Sequence, residues 1–343
     1  MLIKRLMEDN EMIGKKKVQL SLLDSAFNSR DKRSRNEALL DKMNSFVKWD
    51  KLAALCEGMY KDSPKGRPTI PIEFSLKCLF LQYMYNLSDP ALEDALIDRL
   101  SFQRFLGISF DTEIPDFSTI WRFRERLLTN HIYDRIFEEV LRQLEEKKLI
   151  LRRGTMVDAT IVQSARRLKK KDEPTEEQSP RQRAQQDRDA SSTKKGKKWY
   201  YGFKGHIGVD QGSNIIRKKR LTPANVHDIN ERDTLLSGDE QGVFGDKAYG
   251  DKEMKKKCRK EGIYYGILDK GKRNHPLSSK QAKDNRQKSR VRSAVERPFA
   301  YFKHCCGWFR VRYVTLLRND VQFTVLCAIH NIRRGIALTE AQP

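Results

Sequence analysis

The spacing of apolar residues changes near Leu151, and this change constrains the fold more than any other feature of the sequence. In residues 72–151 apolar positions recur every three or four residues, as they do on the buried face of a helix. The first such helix would bury one face, formed by Ile72, Leu76, Leu79, Tyr83 and Leu87. Short β-branched and aromatic runs, typical of strands, follow Leu151. The sequence therefore predicts helices and then a mixed α/β layer.

Two later helices of the first region have recognisable ends. Asp89 is a capping residue type, Pro90 suits a first turn, and Gly107 can end that helix. The other helix is predicted to begin at Asp116 or Ser118.

That second helix carries Arg122 and Arg126 on a side that its apolar residues do not share. Its apolar stripe consists of Ile120, Phe123 and Leu127. Such a helix is either a surface helix packed by its stripe or a helix that contacts DNA, and the sequence leaves both interpretations open.

The second region alternates predicted strands and helices. The strands are expected at residues 155–164, 199–210, 215–225, 242–250 and 262–268. The helices are expected at residues 227–236, 251–262 and 293–310. Residues 166–198 lack apolar periodicity, so they are predicted to form a basic polar insertion, a loop or disordered segment that orders on a polyanion.

The charge of the chain indicates the partner. Of the formal net charge of +22, residues 151–220 carry +11 and residues 251–320 carry +13. An excess of this size opposes folding and is typical of proteins that bind nucleic acid through phosphate contacts. No apolar run approaches the ~20 residues needed to span a bilayer, and the start of the sequence does not resemble a signal peptide. We therefore expect a cytoplasmic protein. The cysteines have no zinc-ligand spacing and are expected to be reduced, mostly buried thiols.

Three carboxylates stand out in the second region. Asp158 lies inside an apolar strand, and Asp246 ends the short apolar run of residues 242–245. Glu296 lies on a predicted helix where Arg292 and Lys303 would fall on its stripe, at about 40° and 20° from it. Taken singly, the acids have ordinary explanations: a local hydrogen-bond acceptor, a turn residue and half of a surface ion pair.

Together the three acids indicate a metal site. Carboxylates from two strands and a helix would repel one another unless cations lay between them, and oxygen ligands suit Mg²⁺ or Mn²⁺. Two such ions roughly 3.5–4 Å apart can activate an attacking hydroxyl and stabilise the leaving oxygen of a phosphodiester. Pro298 complicates the helix, because proline breaks a helix unless it lies in the first turn.

The order of several motifs resembles bacterial insertion-sequence transposases, and more narrowly those of insertion sequence family five. The motifs are "MVDATIV", "YYGFKGHIGVD", "LTPANVHD", "GDKAYGD" and "VERPFAYFK", preceded by residues 67–127 that resemble the family's helical N-terminal domain. The resemblance covers roughly residues 60–335. It implies a ribonuclease H-like mixed sheet with flanking helices at residues 151–335, the catalytic domain, preceded by a helical DNA-binding domain at residues 67–150. Residues 1–66 are charged and of mixed composition, so they are predicted to form a separate charged or helical N-terminal region.

The same resemblance implies that Asp158, Asp246 and Glu296 are the catalytic, metal-binding triad. The family group also has a tyrosine, arginine, glutamate and lysine signature around its last acid. Arg292, Glu296 and Lys303 match it, whereas Ser289 stands at the tyrosine position. The triad itself is intact.

Other residues have two interpretations each. Asp187 and Asp189 are expected in a solvated or DNA-contacting loop. Asn225 and His227 precede a helix that Asp228 would cap, but the resemblance places them near the active site, with His227 on a phosphate or a flipped base.

A basic aromatic stretch follows the insertion. Lys197 and Lys198 precede Trp199, an order that suits base stacking beside cations that hold the backbone. Trp199 and the two tyrosines after it could equally face the core.

The predicted function is DNA transposition with Mg²⁺ or Mn²⁺. The protein would cut element ends and join the 3′-hydroxyl to target DNA; a nuclease without strand transfer and a catalytically silent DNA-binding regulator are the alternatives. The resemblance implies terminal inverted repeats, target DNA and a homodimer or higher synaptic assembly as partners, at the bacterial nucleoid.

Overall fold

The chain divides into two compact units between Gln143 and Leu144. A computed structural model describes residues 33–60, 70–109, 112–166, 186–271 and 275–341. Within them, the first unit is helical, and the second contains a six-stranded sheet with helices.

Seven α-helices lie in the described part of the first unit, the last of them continuing past Gln143. They are α1 (Arg35–Phe46), α2 (Trp49–Ala54), α3 (Ile72–Met84), α4 (Asp89–Asp98), α5 (Leu100–Leu106), α6 (Phe117–Thr129) and α7 (Ile132–Glu146).

Helix α3 is the centre of this unit. Residues 74–84 are all buried, so the prediction of a single apolar face was wrong. The reason is tertiary: α2, α4, α5 and α6 all pack against α3 and cover its whole circumference. A helix that is apolar all round is typical of such a central position.

The ends of α4 and α5 also differ from the prediction. Ser88, and not Asp89, caps α4, because its hydroxyl accepts a backbone amide of the first turn. Asp89 instead pairs with the buried Arg124, at 2.9 Å. The predicted single helix breaks at Arg99, and Gly107, at φ +70°, ends α5 as expected.

The sheet of the second unit contains antiparallel and parallel strands. The strands are β1 (Thr155–Gln163), β2 (Ser191–Lys195), β3 (Lys198–Asp210), β4 (Ile216–Pro223), β5 (Gly242–Gly245) and β6 (Tyr264–Ile267). Their order is β2-β3-β1-β5-β6, and β4 also pairs with β3. Strand β3 is antiparallel to β1, β2 and β4, whereas β5 is parallel to β1 and β6. This mixed sheet, preceded by a helical region, is consistent with a ribonuclease H-like fold.

Strand β2 corrects the prediction that residues 166–198 form an unstructured insertion. It pairs with the start of β3 across a two-residue turn in which Gly196 has φ +62°. Glycine is favoured there because a positive φ strains other residues. This hairpin is mostly exposed, so pairing rather than an apolar pattern forms it. Residues 167–185 of the predicted insertion lie outside the described residues.

Helices cover the sheet. They are α8 (Asp228–Glu231), α9 (Lys252–Glu261), α10 (Ser279–Arg292), α11 (Glu296–Ala300), a π-helical turn (Tyr301–Cys305) and α12 (Leu316–Glu340). The sequence did not predict α10 or α12. Helix α12 is largely buried and packs on β4, where the side-chain amide of Asn331 accepts the backbone amide of Ile216 and donates to its carbonyl oxygen.

Alternate residues of β1 face two different cores. Val157 belongs to a cluster with Leu235, Val243 and Ile267. The next residue, Asp158, is on the face that also carries Thr160. Thr160 pairs with Gly205 of β3, and a Cβ at Gly205 would meet the rings of Trp308 and Phe323, which stack on each other.

Among the described residues, no helix is both long and apolar enough to cross a membrane. The six cysteines are unpaired thiols, and all except Cys305 are buried.

Candidate active site

Asp158 lies within β1, between strands β3 and β5. The amide of Ala159 donates to its Oδ1 atom at 2.8 Å. The side chain is only 20% exposed. Because β1 has neighbours on both sides, the backbone that carries this carboxylate is fixed.

Asp246 follows β5, the parallel neighbour of β1. Thr155 pairs with Val243 and Met156 with Phe244, so two further steps of this register bring Asp246 level with Asp158. The carboxylate of Asp246 caps a 3₁₀ turn and accepts the amide of the next residue at 2.7 Å. Among the described residues, no cation forms an ion pair with it.

Glu296 is the first residue of α11 and is 63% exposed. Arg292, the last residue of α10, reaches two acids at once. Its Nη2 atom is 3.3 Å from Glu296 Oε1, and its Nη1 atom is 3.2 Å from Asp158 Oδ2. Arg292 therefore bridges an acid of the sheet and an acid of the helix.

Lys303 contacts the same strand from the π-helical turn. Its Nζ atom donates to Thr160 Oγ1 at 2.6 Å, two residues beyond Asp158 on the same face. Burial, and then the charge of Lys195 on β2, lower the pKa of Lys303. Within the described part of the chain, no carboxylate forms an ion pair with this lysine.

The single helical stripe predicted for Arg292, Glu296 and Lys303 is wrong. A 3₁₀ turn separates α10 from α11, and the helix widens into the π turn before Lys303. Because α11 begins at Glu296, Pro298 lies in its first turn, where the missing amide needs no partner. Arg292 and Glu296 nevertheless pair across the break, and Lys303 reaches β1 separately.

The acids act on one another electrostatically. Burial raises the pKa of Asp158 to about 6; the Ala159 amide and Arg292 oppose this shift, and the charges of Glu296 and Asp246 reinforce it. Burial, then the charges of nearby aspartates that include Asp158 and Asp246, raise the pKa of Tyr249. The three acids and Tyr249 thus share one electrostatic environment.

The carboxylates of this site are suitable metal ligands, although in this conformation they are not gathered around one point. Among the described residues, no group of three or more His, Cys, Asp or Glu side chains is close enough to hold a metal ion. In this conformation Arg292 supplies the positive charge between Asp158 and Glu296. The side chains offer only carboxylate oxygens, which are the donors that hard divalent cations prefer.

Comparison with protein families identifies the chain. Residues 150–332 match the family described as "Transposase DDE domain", and residues 27–126 match "Transposase domain (DUF772)". The first match covers more than half of the chain. The chain belongs to the DDE transposase family. This transposase is therefore a polynucleotidyl transferase and endonuclease that acts on DNA, and its family generally uses divalent metal ions. No solved structure matches the transposase.

The segment before α8 lies near this environment. Asn225 and His227 are exposed, and Asn225 Oδ1 accepts the hydroxyl of Ser191 at 2.9 Å. The prediction that Asp228 caps α8 is wrong, because its carboxylate accepts Lys204 Nζ at 2.8 Å instead. The charge of Asp228 also helps to raise the pKa of the Tyr249 hydroxyl.

The β2–β3 hairpin carries the basic aromatic stretch. Lys197 and Lys198 are exposed, and Trp199 is 70% exposed with Lys194 Nζ 5.8 Å from its ring. Trp199 therefore does not face the core. Tyr201 does turn inward, and its hydroxyl donates to the carbonyl oxygen of Asp187 at 2.5 Å.

The first unit of the transposase carries Arg122 and Arg126 on the exposed side of α6. The predicted stripe of this helix is buried, and the Asp116 side chain caps its first turn. The guanidinium of Arg126 lies 4.8 Å from the ring of Tyr60. This geometry is compatible with both interpretations of the helix.

Asp187 does not lie in a solvated loop, which corrects the prediction for that residue, whereas Asp189 is exposed. Asp187 is fully buried, and its carboxylate accepts the amide of Thr315 at 3.3 Å. Asp189 accepts the amide of Leu316 at 2.8 Å. These two acids satisfy amides at the start of α12, where negative charge is favourable.

Sequence reasoning missed two residues beside the acids. Tyr249 is 1% exposed, and its hydroxyl has no hydrogen-bond partner among the described residues. Its position within "GDKAYGD", three residues after Asp246, was the available signal. No signal in the sequence pointed to Thr160, because threonine is common in strands.

Proposed function

We propose that Asp158, Asp246 and Glu296 are the catalytic triad of this transposase and hold two divalent ions, Mg²⁺ or Mn²⁺. The observation that supports this proposal is the bridge that Arg292 makes between Asp158 and Glu296, beside a neighbouring strand whose register brings Asp246 level with Asp158. Two distant segments thus already share one cation, and a third acid lies directly after the adjacent strand.

When bound, the two ions supply an activated oxygen nucleophile and stabilise the leaving oxygen of an in-line displacement at phosphorus. The protein holds the carboxylates in position. The Ala159 amide orients Asp158, and the backbone after β5 orients Asp246. Arg292 would turn from the carboxylates to a DNA phosphate, and Lys303, which among the described residues bonds to the Thr160 hydroxyl and pairs with no carboxylate, would contact another.

The proposed reaction has two displacements. In the first, water attacks a phosphodiester at the end of the element, the bond to the 3′ oxygen breaks, and that oxygen leaves as a 3′-hydroxyl. In the second, this 3′-hydroxyl attacks a phosphodiester of the target; a new P–O bond joins element and target, and the target's own 3′ oxygen leaves.

The proposed DNA contacts lie on both units. On the second unit they are the exposed residues Lys197, Lys198, Trp199, Asn225 and His227. On the first unit they are Arg122 and Arg126. The partners would be element ends with terminal inverted repeats and a target duplex, bound at the bacterial nucleoid by a homodimer or larger assembly. Membership of insertion sequence family five remains a prediction.

The test is an assay on a labelled element end, taken from inverted repeats that flank the reading frame, with Mg²⁺ and an unlabelled target. Transposition predicts a shortened strand that carries a new 3′ end, followed by a product joined to the target. Cutting without joining would identify a nuclease. If neither the wild type nor Asp246→Asn cut the labelled end while both bound it, the protein would be a silent regulator. If Asp246→Asn cut as well as the wild type, the triad assignment would be wrong.

A further inference from the structure

Helix α9 carries an unusual concentration of positive charge beside the last strand of the sheet. Six of its ten residues are lysine or arginine, and two are glutamate. It packs on β6, at the end of the sheet order opposite to β2. None of the proposed catalytic or DNA-contacting residues lies on this helix.

Most cations of α9 lie on one face of the helix. At about 100° per residue, four of them fall within an arc of about 100° that contains no acid. We call these four the groove cations: Lys252, Lys255, Lys256 and Arg259. Met254 and Cys258 are buried on the opposite side, and both glutamates lie outside the arc. The packing of α9 therefore turns its most basic face outward.

The groove cations line a surface groove of about 530 Å³ together with Tyr264 and Tyr265 of β6. Tyr264 is 54% exposed. Lys255 lies 5.7 Å from the Tyr265 ring and 3.8 Å from a carboxylate oxygen of Asp269. Within the described part of the chain, the other three groove cations pair with no carboxylate. Their charge is thus available to an external anion.

We propose that this groove binds the sugar-phosphate backbone of duplex DNA, as a second contact surface separate from the catalytic acids. The proposal rests on the transposase acting on DNA. From Lys252 to Arg259 the helix rises about 10 Å, a length over which a DNA duplex carries several phosphates. The groove cations can therefore reach more than one phosphate, and the exposed Tyr264 adds a hydroxyl donor beside them.

A different reason for lysines beside an edge strand is protection against unwanted strand pairing. Lysines on or beside the strand would suffice for that purpose. An acid-free arc of four cations next to an exposed tyrosine instead presents a continuous positive surface, as phosphate contacts require.

The experiment compares two double variants of the full-length protein. Lys256→Gln with Arg259→Gln removes two groove cations. Lys257→Gln with Lys260→Gln removes two exposed cations of the same helix, at the same spacing, outside the groove. Binding to a fluorescent duplex of arbitrary sequence is measured over a range of salt concentrations, and light scattering reports aggregation. Metal-dependent cutting by the wild type and by Asp246→Asn is assayed in parallel, so a failure of the proposed function is seen separately.

If each groove cation binds one phosphate, the slope of log K against log salt becomes shallower by about 2 in the groove variant, and binding at low salt weakens roughly tenfold or more. The control variant should change the slope by less than half as much. Equal slopes in the two variants would overturn the proposal by showing a diffuse charge effect. Unchanged binding with increased aggregation would overturn it in favour of edge protection.

Discussion

At the scale of single residues, the charge of Arg292 balances part of the charge of the acids in the candidate active site, of which Asp158 is the most buried. Asp158 ionises less readily than an ordinary aspartate because it is buried, and Glu296 and Asp246 add to that cost. Arg292 offsets part of the repulsion by contacting two of the acids. In the proposed site, divalent ions and Arg292 compete for the same carboxylates.

Replacing Arg292 should make this competition visible. Without divalent ions, Arg292→Gln should lose about 2 kcal/mol of stability, because two charged hydrogen bonds disappear and the acids repel one another. With Mg²⁺ or Mn²⁺, its thermal midpoint should rise more than that of the wild type, while DNA cutting falls. Arg297→Gln is the control, since Arg297 is exposed and contacts none of the three acids. Equal metal-induced shifts in Arg292→Gln and wild type would contradict the competition.

His330 should make stability depend on pH. Burial lowers its pKa to about 4, and its Nε2 atom is 3.1 Å from the Asn214 carbonyl oxygen. An unfolded histidine titrates near pH 6.5, so the stabilising effect is complete above ~6.5 and is lost as the pH falls towards 4. Between pH 7 and pH 5 the loss amounts to about 2 kcal/mol.

The measurement is thermal unfolding of wild type and His330→Gln at both pH values. The stability difference between the two proteins should shrink by about 2 kcal/mol at pH 5, because glutamine does not titrate. A difference that stays constant with pH would show that His330 is not held neutral. His206, whose pKa is also lowered to about 4 by burial, provides a second site for the same comparison.

At the scale of elements, the sequence predicted the strands whose own residues favour strand formation. Strands form within all five segments expected between residues 155 and 268, because β-branched and aromatic runs bounded by glycine form strands locally. The strand expected at 242–250 ends at Gly245, and a 3₁₀ turn follows it. Strand β2 was missed because its polar residues are ordered by pairing with β3. Helix α12 was missed because it is buried on several sides and shows no single apolar stripe.

The same distinction holds for the site. Each acid could be chosen from its local context and motif, but the bridge by Arg292 depends on how α10 ends and α11 begins. No local pattern predicts a 3₁₀ turn followed by a π turn, since both arise where the chain adapts to its neighbours. For this reason the sequence singled out Arg292, Glu296 and Lys303 but did not predict how their side chains are arranged.

The start of α12 should depend on a segment far away in sequence. Asp187→Ala should destabilise the second unit by about 2 kcal/mol, because a buried acceptor disappears and helix amides remain unsatisfied. Asp187→Asn should cost less, since its amide oxygen can still accept a hydrogen bond. Thermal unfolding measures both. An Asp187→Ala protein as stable as the wild type would show that this contact contributes nothing to α12.

The hairpin of β2 and β3 should serve DNA binding rather than folding. Trp199→Ala removes a ring that is mostly exposed, so the thermal midpoint should change little. Binding to single-stranded DNA should weaken by about 1–3 kcal/mol, the usual contribution of one stacked base. Tyr201→Phe, which removes only an internal hydrogen bond, should keep DNA affinity. Unchanged binding of single strands by Trp199→Ala would exclude stacking on this ring.

At the scale of the whole molecule, the transposase combines three acids with a large excess of cations. The three acids lie on β1, after β5 and at the start of α11, in segments that are 88 and 50 residues apart along the chain. The excess of positive charge falls in residues 151–220, which contain Asp158, and in residues 251–320, which contain Glu296, and Asp246 lies between these two segments. Such a distribution fits a site that holds cations at its centre and phosphates around it.

Localised radical cleavage tests the shared metal site most directly. Fe²⁺ is substituted for Mg²⁺ in the wild-type protein, hydroxyl radicals are generated at the iron with ascorbate and peroxide, and mass spectrometry locates the backbone cuts. A common site predicts cuts near residues 158, 246 and 296 together, all suppressed by excess Mg²⁺ and weakened by Asp246→Asn. Cuts near only one or two of these positions, with the third protected, would contradict a metal site built from all three acids.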